Sequence, residues 1–130
     1  MPRTAMAVNP PELAKPLGFS HGWETQGGRT LYMSGQVAFD GEGRVVGSGD
    51  LVAQFRQVCQ NLKALVGARG GQMTDIVKLT VYLTDIARLP DYGRIKAAYI
   101  PGPQPASTAV GVTALAVPGL VIEVEATAVL

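Results

Sequence analysis

The chain has 130 residues, which is close to the commonest length of a single domain and enough to bury one hydrophobic core. Hydrophobic residues make up 47% of it and charged residues 16%, a globular composition that excludes a disordered segment. The formal net charge is +1 without any block of like charge, which argues against nucleic-acid binding. We expect one domain over residues 1–130, with residues 1–16 as an N-terminal lead-in.

The sequence is poor in ligands for metals and in signals for secretion. Cys59 is the single cysteine and His21 the single histidine, so neither an internal disulfide nor a zinc site can be built. No apolar run reaches the length that a bilayer requires, and no apolar signal segment precedes Asn9. We therefore expect a cytoplasmic protein without a metal, a cofactor or a membrane contact.

The first clear strand pattern covers residues 30–37, where apolar and polar residues alternate. One face holds Leu31, Met33 and Val37, and the other holds Tyr32, Ser34 and Gln36. A glycine-rich stretch at residues 41–49 then predicts turns, with a short hairpin return at residues 44–46. Because this stretch lacks the Lys-Ser/Thr ending of a phosphate-binding loop, we interpret it as turns alone.

A helix and a strand follow. Asp50 is a suitable N-cap, and an apolar stripe at spacings of three and four predicts a helix that stops at Gly70 and Gly71. The stripe consists of Leu51, Phe55, Val58, Leu62 and Leu65. Residues 76–83 alternate again, which predicts a strand whose aliphatic face packs under this helix.

Pro90 suits the first turn of a second helix, on which Leu89, Tyr92, Lys96 and Tyr99 share a side. Two further strands are predicted at residues 108–112 and 121–129. The order of elements is that of an α+β fold, with a sheet that carries both helices on its aliphatic face. The mixed face of the sheet must then meet water or another subunit.

Several short motifs occur together in a fixed order. They are Ser34-Gly35-Gln36, Asn61-Leu62, Val77-Lys78, Pro105-Ala106 and the run from Ile122 to Ala126. In this order and spacing the chain resembles the RidA (YjgF) family, also called the L-PSP endoribonuclease family, from about Leu17 to Leu130. The resemblance implies a chorismate-mutase-like fold with a mixed sheet, assembled as a homotrimer that has small-molecule clefts between its subunits.

Characterised members of that family release ammonia from enamines and imines by adding water. The resemblance makes Glu123 the catalytic residue that holds the water, and it implies ligand contacts from Ser34, the Gly35 backbone and the backbone around Ala109. Three expected polar contacts are missing, because Ser107 stands for a carboxylate-binding Arg, Gly93 for an Asn and Phe19 for an aromatic hydroxyl. We therefore expect a ligand other than a simple 2-imino acid.

Each candidate residue also has a simpler interpretation. Glu123 and Glu125 could form a carboxylate pair, yet a period of two by itself puts both on the mixed face. His21 could act as an acid or base, or could be an ordinary loop histidine. Cys59 lies beside the apolar stripe and is interpreted as a small hydrophobic residue rather than a nucleophile.

Three functions remain open at this stage. The first is hydrolysis of an enamine, an imine or a related reactive molecule, with Glu123 as the base and Ser34 as a ligand contact. The second is a non-catalytic trimer that binds a metabolite or a partner in the same clefts. The third is ribonuclease activity, which ranks lowest because the chain lacks a basic groove.

Overall fold

The computed structural model describes residues 2–130, and within them it contains six strands and two α helices. The strands are β1 (Thr4–Val8), β2 (Gly22–Gln26), β3 (Thr30–Gln36), β4 (Ile76–Leu83), β5 (Ala106–Gly111) and β6 (Ile122–Val129). The helices are α1 (Leu51–Gly67) and α2 (Leu89–Tyr99). No helix in this part of the chain combines the length and the apolar character needed to cross a membrane.

Four strands form a mixed sheet in the order β3-β6-β4-β5. β6 pairs antiparallel with both β3 and β4, whereas β4 and β5 are parallel and are connected through α2. β1 and β2 form a separate antiparallel ribbon of two strands. The predicted α+β fold with a mixed sheet and two helices is therefore confirmed.

The two central strands of the sheet, β4 and β6, determine its two faces. Their register pairs Leu79 with Ala126 and Val81 with Val124, and all four side chains are buried. They share one core cluster with Phe55 of α1. The aliphatic face of β4 thus packs under the helix layer as the alternation predicted, since successive strand residues point to opposite faces.

Both ends of α1 are capped as the residue types predicted. The Asp50 carboxylate accepts a hydrogen bond of 3.1 Å from the Ala53 N–H, which satisfies one of the free donors of the first turn. The helix ends at Gly67, and the Gly71 N–H donates to the Val66 carbonyl over 2.8 Å. The stop therefore lies a few residues before Gly70 and Gly71, which close the last turn rather than extend it.

Gln54 is a fully buried polar residue that the apolar stripe of α1 did not reveal. Its amide nitrogen donates to the carbonyls of Gly47 (3.1 Å) and Gly119 (2.7 Å), and its amide oxygen accepts from the Val121 N–H (2.8 Å). Because these hydrogen bonds satisfy both the nitrogen and the oxygen of the amide, burying the Gln54 side chain costs little free energy. The side chain thereby joins the loop at Gly47 and the loop at Gly119 to the helix.

The N-terminal region differs from the sequence prediction, which placed no strand before Thr30. β1 lies inside the expected lead-in, and it pairs with β2 from Thr4 opposite Gln26 to Val8 opposite Gly22. The Trp23 indole N–H donates to the Gln104 carbonyl over 2.8 Å, which ties the ribbon to the loop before β5. Strands of five residues between proline-containing segments give a weak alternation signal.

The alternation predicted for the first strand also fails near its end. The register between β3 and β6 shifts between Met33 and Gln36, as expected of a β-bulge. Gln36 consequently pairs with Val124, which points into the core, and does not continue the polar face of Tyr32. The predicted hairpin return is confirmed as a bridge between Phe39 and Val45.

We predict that Val81→Asp destabilises the domain by roughly 3–5 kcal/mol, because a carboxylate without a partner would be buried under the helices. Val81 is fully buried, whereas Val52 on α1 is 43% exposed, so Val52→Asp is the matched control. Chemical denaturation measures both free energies of unfolding. Equal stability of the two variants would contradict the assignment of the β4 faces.

Candidate functional site

Glu123 of β6 lies against the backbone of Gly35, at the point where β3 bulges. A Cβ atom built on Gly35 would be 2.8 Å from the Glu123 Cδ and nearer still to Oε2. Ser34, the preceding residue, is exposed on the same edge of the sheet, and Glu123 is half-buried. The structure thus brings together three of the sequence-predicted site residues within one subunit.

Gly35 is required at this position for a spatial reason. Gly35 lies within the register shift between β3 and β6, and its missing Cβ leaves the space that the Glu123 carboxylate occupies. Gly in a strand commonly marks such a close approach. The Ser34-Gly35 pair therefore has a physical role, which is to admit a carboxylate beside an exposed hydroxyl.

Tyr82 contacts the two carboxylates on the polar face in different ways. It pairs with Glu123 in the β4–β6 register, while its hydroxyl donates to the Glu125 Oε1 over 3.2 Å. Desolvation, this hydrogen bond and the charges of Glu125 and Glu123 raise the pKa of Tyr82. Glu123 and Glu125 share a face as the period of two predicted, but they have different neighbours and do not form a paired site.

Asn61 of α1 holds the chain that leaves the bulge. Its amide nitrogen donates to the carbonyls of Val37 (3.1 Å) and Phe39 (3.3 Å), and its oxygen accepts from the Gln57 amide (2.9 Å). Sequence reasoning noted Asn61 only as a motif residue and did not assign it this role. The contacts fix the β3 exit, and hence Gly35, relative to the helix.

Ser107 and Ala109 lie on the other face of the sheet from Glu123. The parallel register pairs Ser107 with Leu79 and Ala109 with Val81, both of which point towards the helices. Gly93 is exposed on α2, with nothing within 4 Å of the place that a Cβ would take. β4 also separates β5 from β6 in the sheet, so neither Ser107 nor Ala109 is adjacent to Glu123, and Gly93 lies on a helix.

Phe19 and His21 belong to a folded N-terminal loop. Their rings meet edge to face at 5.3 Å between centroids. A ring nitrogen of His21 lies 2.6 Å from the Ala14 carbonyl, and the backbone N–H of His21 donates to the Asn9 Oδ1 over 2.7 Å. These contacts give His21 a structural role in the loop, and Phe19 lies half-buried against it.

The two arginines on either side of Gly93 in the sequence form ion pairs with a neighbouring carboxylate. Arg88 and Arg94 both form ion pairs with Asp91 on the outer side of α2, the first at 3.7 Å.

Cys59 is buried in the core, and desolvation raises the pKa of its thiol from 9.0 to about 12. The interpretation of Cys59 as a small hydrophobic residue is therefore confirmed, since a thiol with so high a pKa is a poor nucleophile at neutral pH.

We predict that Gly35→Ala displaces the Glu123 carboxylate while the fold is retained, because the displaced atoms are the free end of a flexible side chain. The carboxylate has to move until ordinary contact distances of 3.4–4 Å return. Gly41→Ala is the control, since nothing lies within 4 Å of a Cβ there. A crystal structure of Gly35→Ala with Glu123 unmoved would contradict this account of the bulge.

Comparison with known proteins agrees with this fold. The family model described as Endoribonuclease L-PSP matches residues 12–130. The chain is similar to the crystal structure of YyfB from Yersinia pestis, a Rid family protein of unknown function, with 40% identity over 97% of this chain and 98% of that one and a TM-score of 0.89. It is also similar to RidA from an Antarctic Psychrobacter species (35% identity, 90% of this chain and 92% of that one, TM-score 0.73).

A curated relative points to the same family. A RutC family protein of Pyrococcus horikoshii is 34% identical over 88% of this chain and 89% of its own length. The family model, which matches residues 12–130, covers the bulge, the Glu123 strand and the loop before β5. This chain belongs to the Rid (RidA/YjgF, L-PSP endoribonuclease) family.

Proposed function

We propose that the chain is a cytoplasmic homotrimer that binds a small molecule in clefts between its subunits and hydrolyses it as an enamine/imine deaminase does. The observation that carries this proposal is the half-buried Glu123 carboxylate on the Gly35 backbone, beside the exposed Ser34 hydroxyl. A carboxylate in such a position can accept a proton from water, and a hydroxyl with nearby backbone groups can orient a ligand. Family membership makes this reaction the first to test.

The proposed reaction adds one water molecule to a C=N bond. The water oxygen bonds to the imine carbon while the Glu123 carboxylate accepts a water proton. Glu123 returns this proton to the imine nitrogen, which gives a neutral carbinolamine. The hydroxyl proton of the carbinolamine is then transferred to its amino group, the C=O bond forms as the C–N bond breaks, and the nitrogen leaves as ammonia. One imine and one water give one carbonyl compound and one ammonia, so no cofactor takes part.

Assembly through the polar face of the sheet is supported by what that face exposes. Tyr32 is 80% exposed there, and it lines a shallow cavity of about 280 Å³ with Lys78, Thr80, Glu125 and Thr127. A large aromatic residue surrounded by polar groups is typical of an interface centre. A trimer would also allow Phe19 and Gly93 of one subunit to meet Glu123 of another.

The ligand that we propose is neutral or cationic rather than a simple 2-imino acid. A carboxylate bound to an Arg fork gains roughly 1.5–3 kcal/mol from charge-assisted hydrogen bonds, and Ser107 cannot replace them. An anionic ligand would also approach the carboxylate of Glu123, and in a partly buried cleft that repulsion is weakly screened. Phe19 at the cleft adds apolar surface in place of a hydroxyl.

A second candidate function is binding without catalysis. Ser107, Gly93 and Phe19 all lack the polar groups that the family resemblance implies, and this favours a cleft that holds a metabolite or partner without turnover. Ribonuclease activity, which the family description suggests, is a weaker candidate. A net charge of +1 and two carboxylates on the polar face do not favour a polyanion.

We predict that sedimentation equilibrium returns three times the mass of one chain at micromolar concentration. Tyr32→Asp should shift the protein to the monomer mass, because it puts a charge at the centre of the proposed interface near Glu125. Val52→Asp on the exposed side of α1 should leave the mass unchanged. A monomer mass for the unmodified chain would refute the trimer.

We predict weak hydrolysis of 2-iminopropionate, generated from alanine by an amino-acid oxidase and trapped with semicarbazide. Ser107→Arg should lower the protein concentration needed for half suppression of the trapped product by about tenfold to a hundredfold, because it restores the carboxylate anchor. Glu123→Gln should abolish suppression in that background, since an amide cannot accept the water proton.

The outcomes separate the candidate functions. Strong suppression by the unmodified chain would show that another group anchors the carboxylate, against the role assigned to Ser107. Loss of suppression in Ser107→Arg/Glu123→Gln supports hydrolysis with Glu123 as the base. Full suppression by that double variant would remove Glu123 from the mechanism, and a failure of Ser107→Arg itself to suppress the trapped product would favour the binding function.

A further inference from the structure

Lys96 of α2 is a buried cation. Its side chain is 5% exposed, and it faces inward one turn after Tyr92, over whose ring the ammonium lies at 5.7 Å from the centroid. The ammonium donates a hydrogen bond to the carbonyl of Gly18. None of the ion pairs found among residues 2–130 includes Lys96.

Core stability does not explain a lysine at this position. An ammonium group has three donors, and among residues 2–130 only the Gly18 carbonyl is found to accept from it, while the Tyr92 ring supplies a weaker cation–π contact. Burial lowers the pKa of Lys96, which reflects the cost of removing the charge from water. A methionine would fill a similar volume without that cost. Departures of this kind are expected at functional positions.

The Gly18 carbonyl belongs to the loop that contains Phe19, the next residue in the chain. On the other side of Phe19, the Ser20 N–H donates to the Pro105 carbonyl over 3.1 Å, and Ser20 bridges to Ala106 at the start of β5. The loop is therefore held at two points, by α2 through Lys96 and by β5 through Pro105. Ser107 follows directly after this second point.

The segment before the loop has little apolar burial to hold it. Leu17 is 80% exposed and Leu13 is 49% exposed. Segments with few buried apolar contacts open at low free-energy cost, so individual hydrogen bonds dominate their local stability. The contact between Lys96 and Gly18 is thus the link from the helix layer to the Phe19 loop.

We propose that Lys96 is a positioning residue that fixes the Phe19 loop, and with it one wall of the ligand cleft, by holding the Gly18 carbonyl. This inference rests on the proposed function in so far as Phe19 faces a ligand. The hold on the loop can be measured without any ligand. A failure of the proposed function and a failure of this inference are therefore distinguishable.

The first measurement is amide hydrogen exchange on the full chain. Lys96→Met should accelerate exchange of the Ser20 amide by about tenfold, the equivalent of one lost hydrogen bond, while protection of β4 and β6 and the melting temperature are maintained or increased. Lys96→Gln keeps a side-chain N–H donor group without the positive charge and should restore part of the protection of the Ser20 amide. Lys63→Met, at an exposed lysine of α1, is the matched control and should change neither.

The second measurement uses 2-iminopropionate as the probe in the Ser107→Arg background. Lys96→Met should raise the protein concentration needed for half suppression by about tenfold, mainly through weaker binding, because the cleft wall is misplaced. Unchanged exchange at Ser20 in Lys96→Met would overturn the proposal. A loss of protection throughout β4 and β6 in both Lys96→Met and Lys96→Gln would also overturn it, since Lys96 would then be an element of the core.

Discussion

The alternation of side chains along β4 and β6 is the constraint on which the remaining structure depends. These strands are adjacent in the sheet, so Leu79, Val81, Val124 and Ala126 form one continuous aliphatic surface. The helices must cover this surface, because exposed aliphatic area of that extent is costly in water. The same alternation leaves Tyr82, Glu123 and Glu125 on the opposite face without a helix over them. A polar face that is available for assembly or ligands is thus a direct consequence of how the core is built.

The candidate site arises where this regular pattern is interrupted. The Glu123 carboxylate fits beside position 35 because Gly35 has no Cβ, since a Cβ there would lie 2.8 Å from the Glu123 Cδ. The register between β3 and β6 shifts between Met33 and Gln36 around this contact, and Asn61 fixes the chain beyond it. A regular sheet therefore supplies rigidity, and one local irregularity places the Glu123 carboxylate beside the Gly35 backbone. The departures at Ser107, Gly93 and Phe19 lie in other elements, so this arrangement does not depend on them.

The N-terminal region is attached to the domain mainly by polar contacts. The Trp23 indole, the Ser20 amide and the Lys96 ammonium each donate to a backbone carbonyl, and they connect the ribbon and its loop to β5 and α2. Such contacts fix geometry more than they add stability, because each net contribution is only about 1 kcal/mol. The region that carries Phe19 is thus ordered by directional bonds, whereas the sheet and helices are held by the core.

The sequence by itself determined the elements whose signal is periodic. Residues 77–83 alternate, and α1 carries a stripe at helical spacing with a capping Asp50, so strand, helix and buried face could all be predicted. The motifs around Ser34, Pro105 and Glu123 were sufficient for the family, which the comparisons confirm. The sequence also placed Lys96 on the same side of α2 as Tyr92, but the burial of Lys96 and its contact with Gly18 became evident only in the structure.

Only the tertiary structure decided which residues meet across the chain. The five-residue strands β1 and β2 are stable because they pair with each other, a contact between distant segments that local propensity does not record. The bulge at Gly35, the three bonds of Gln54 and the face of Ser107 all depend on strand register, and a shift of one residue reverses every side chain. Periodicity therefore defines faces within an element, whereas register and packing between elements define the site.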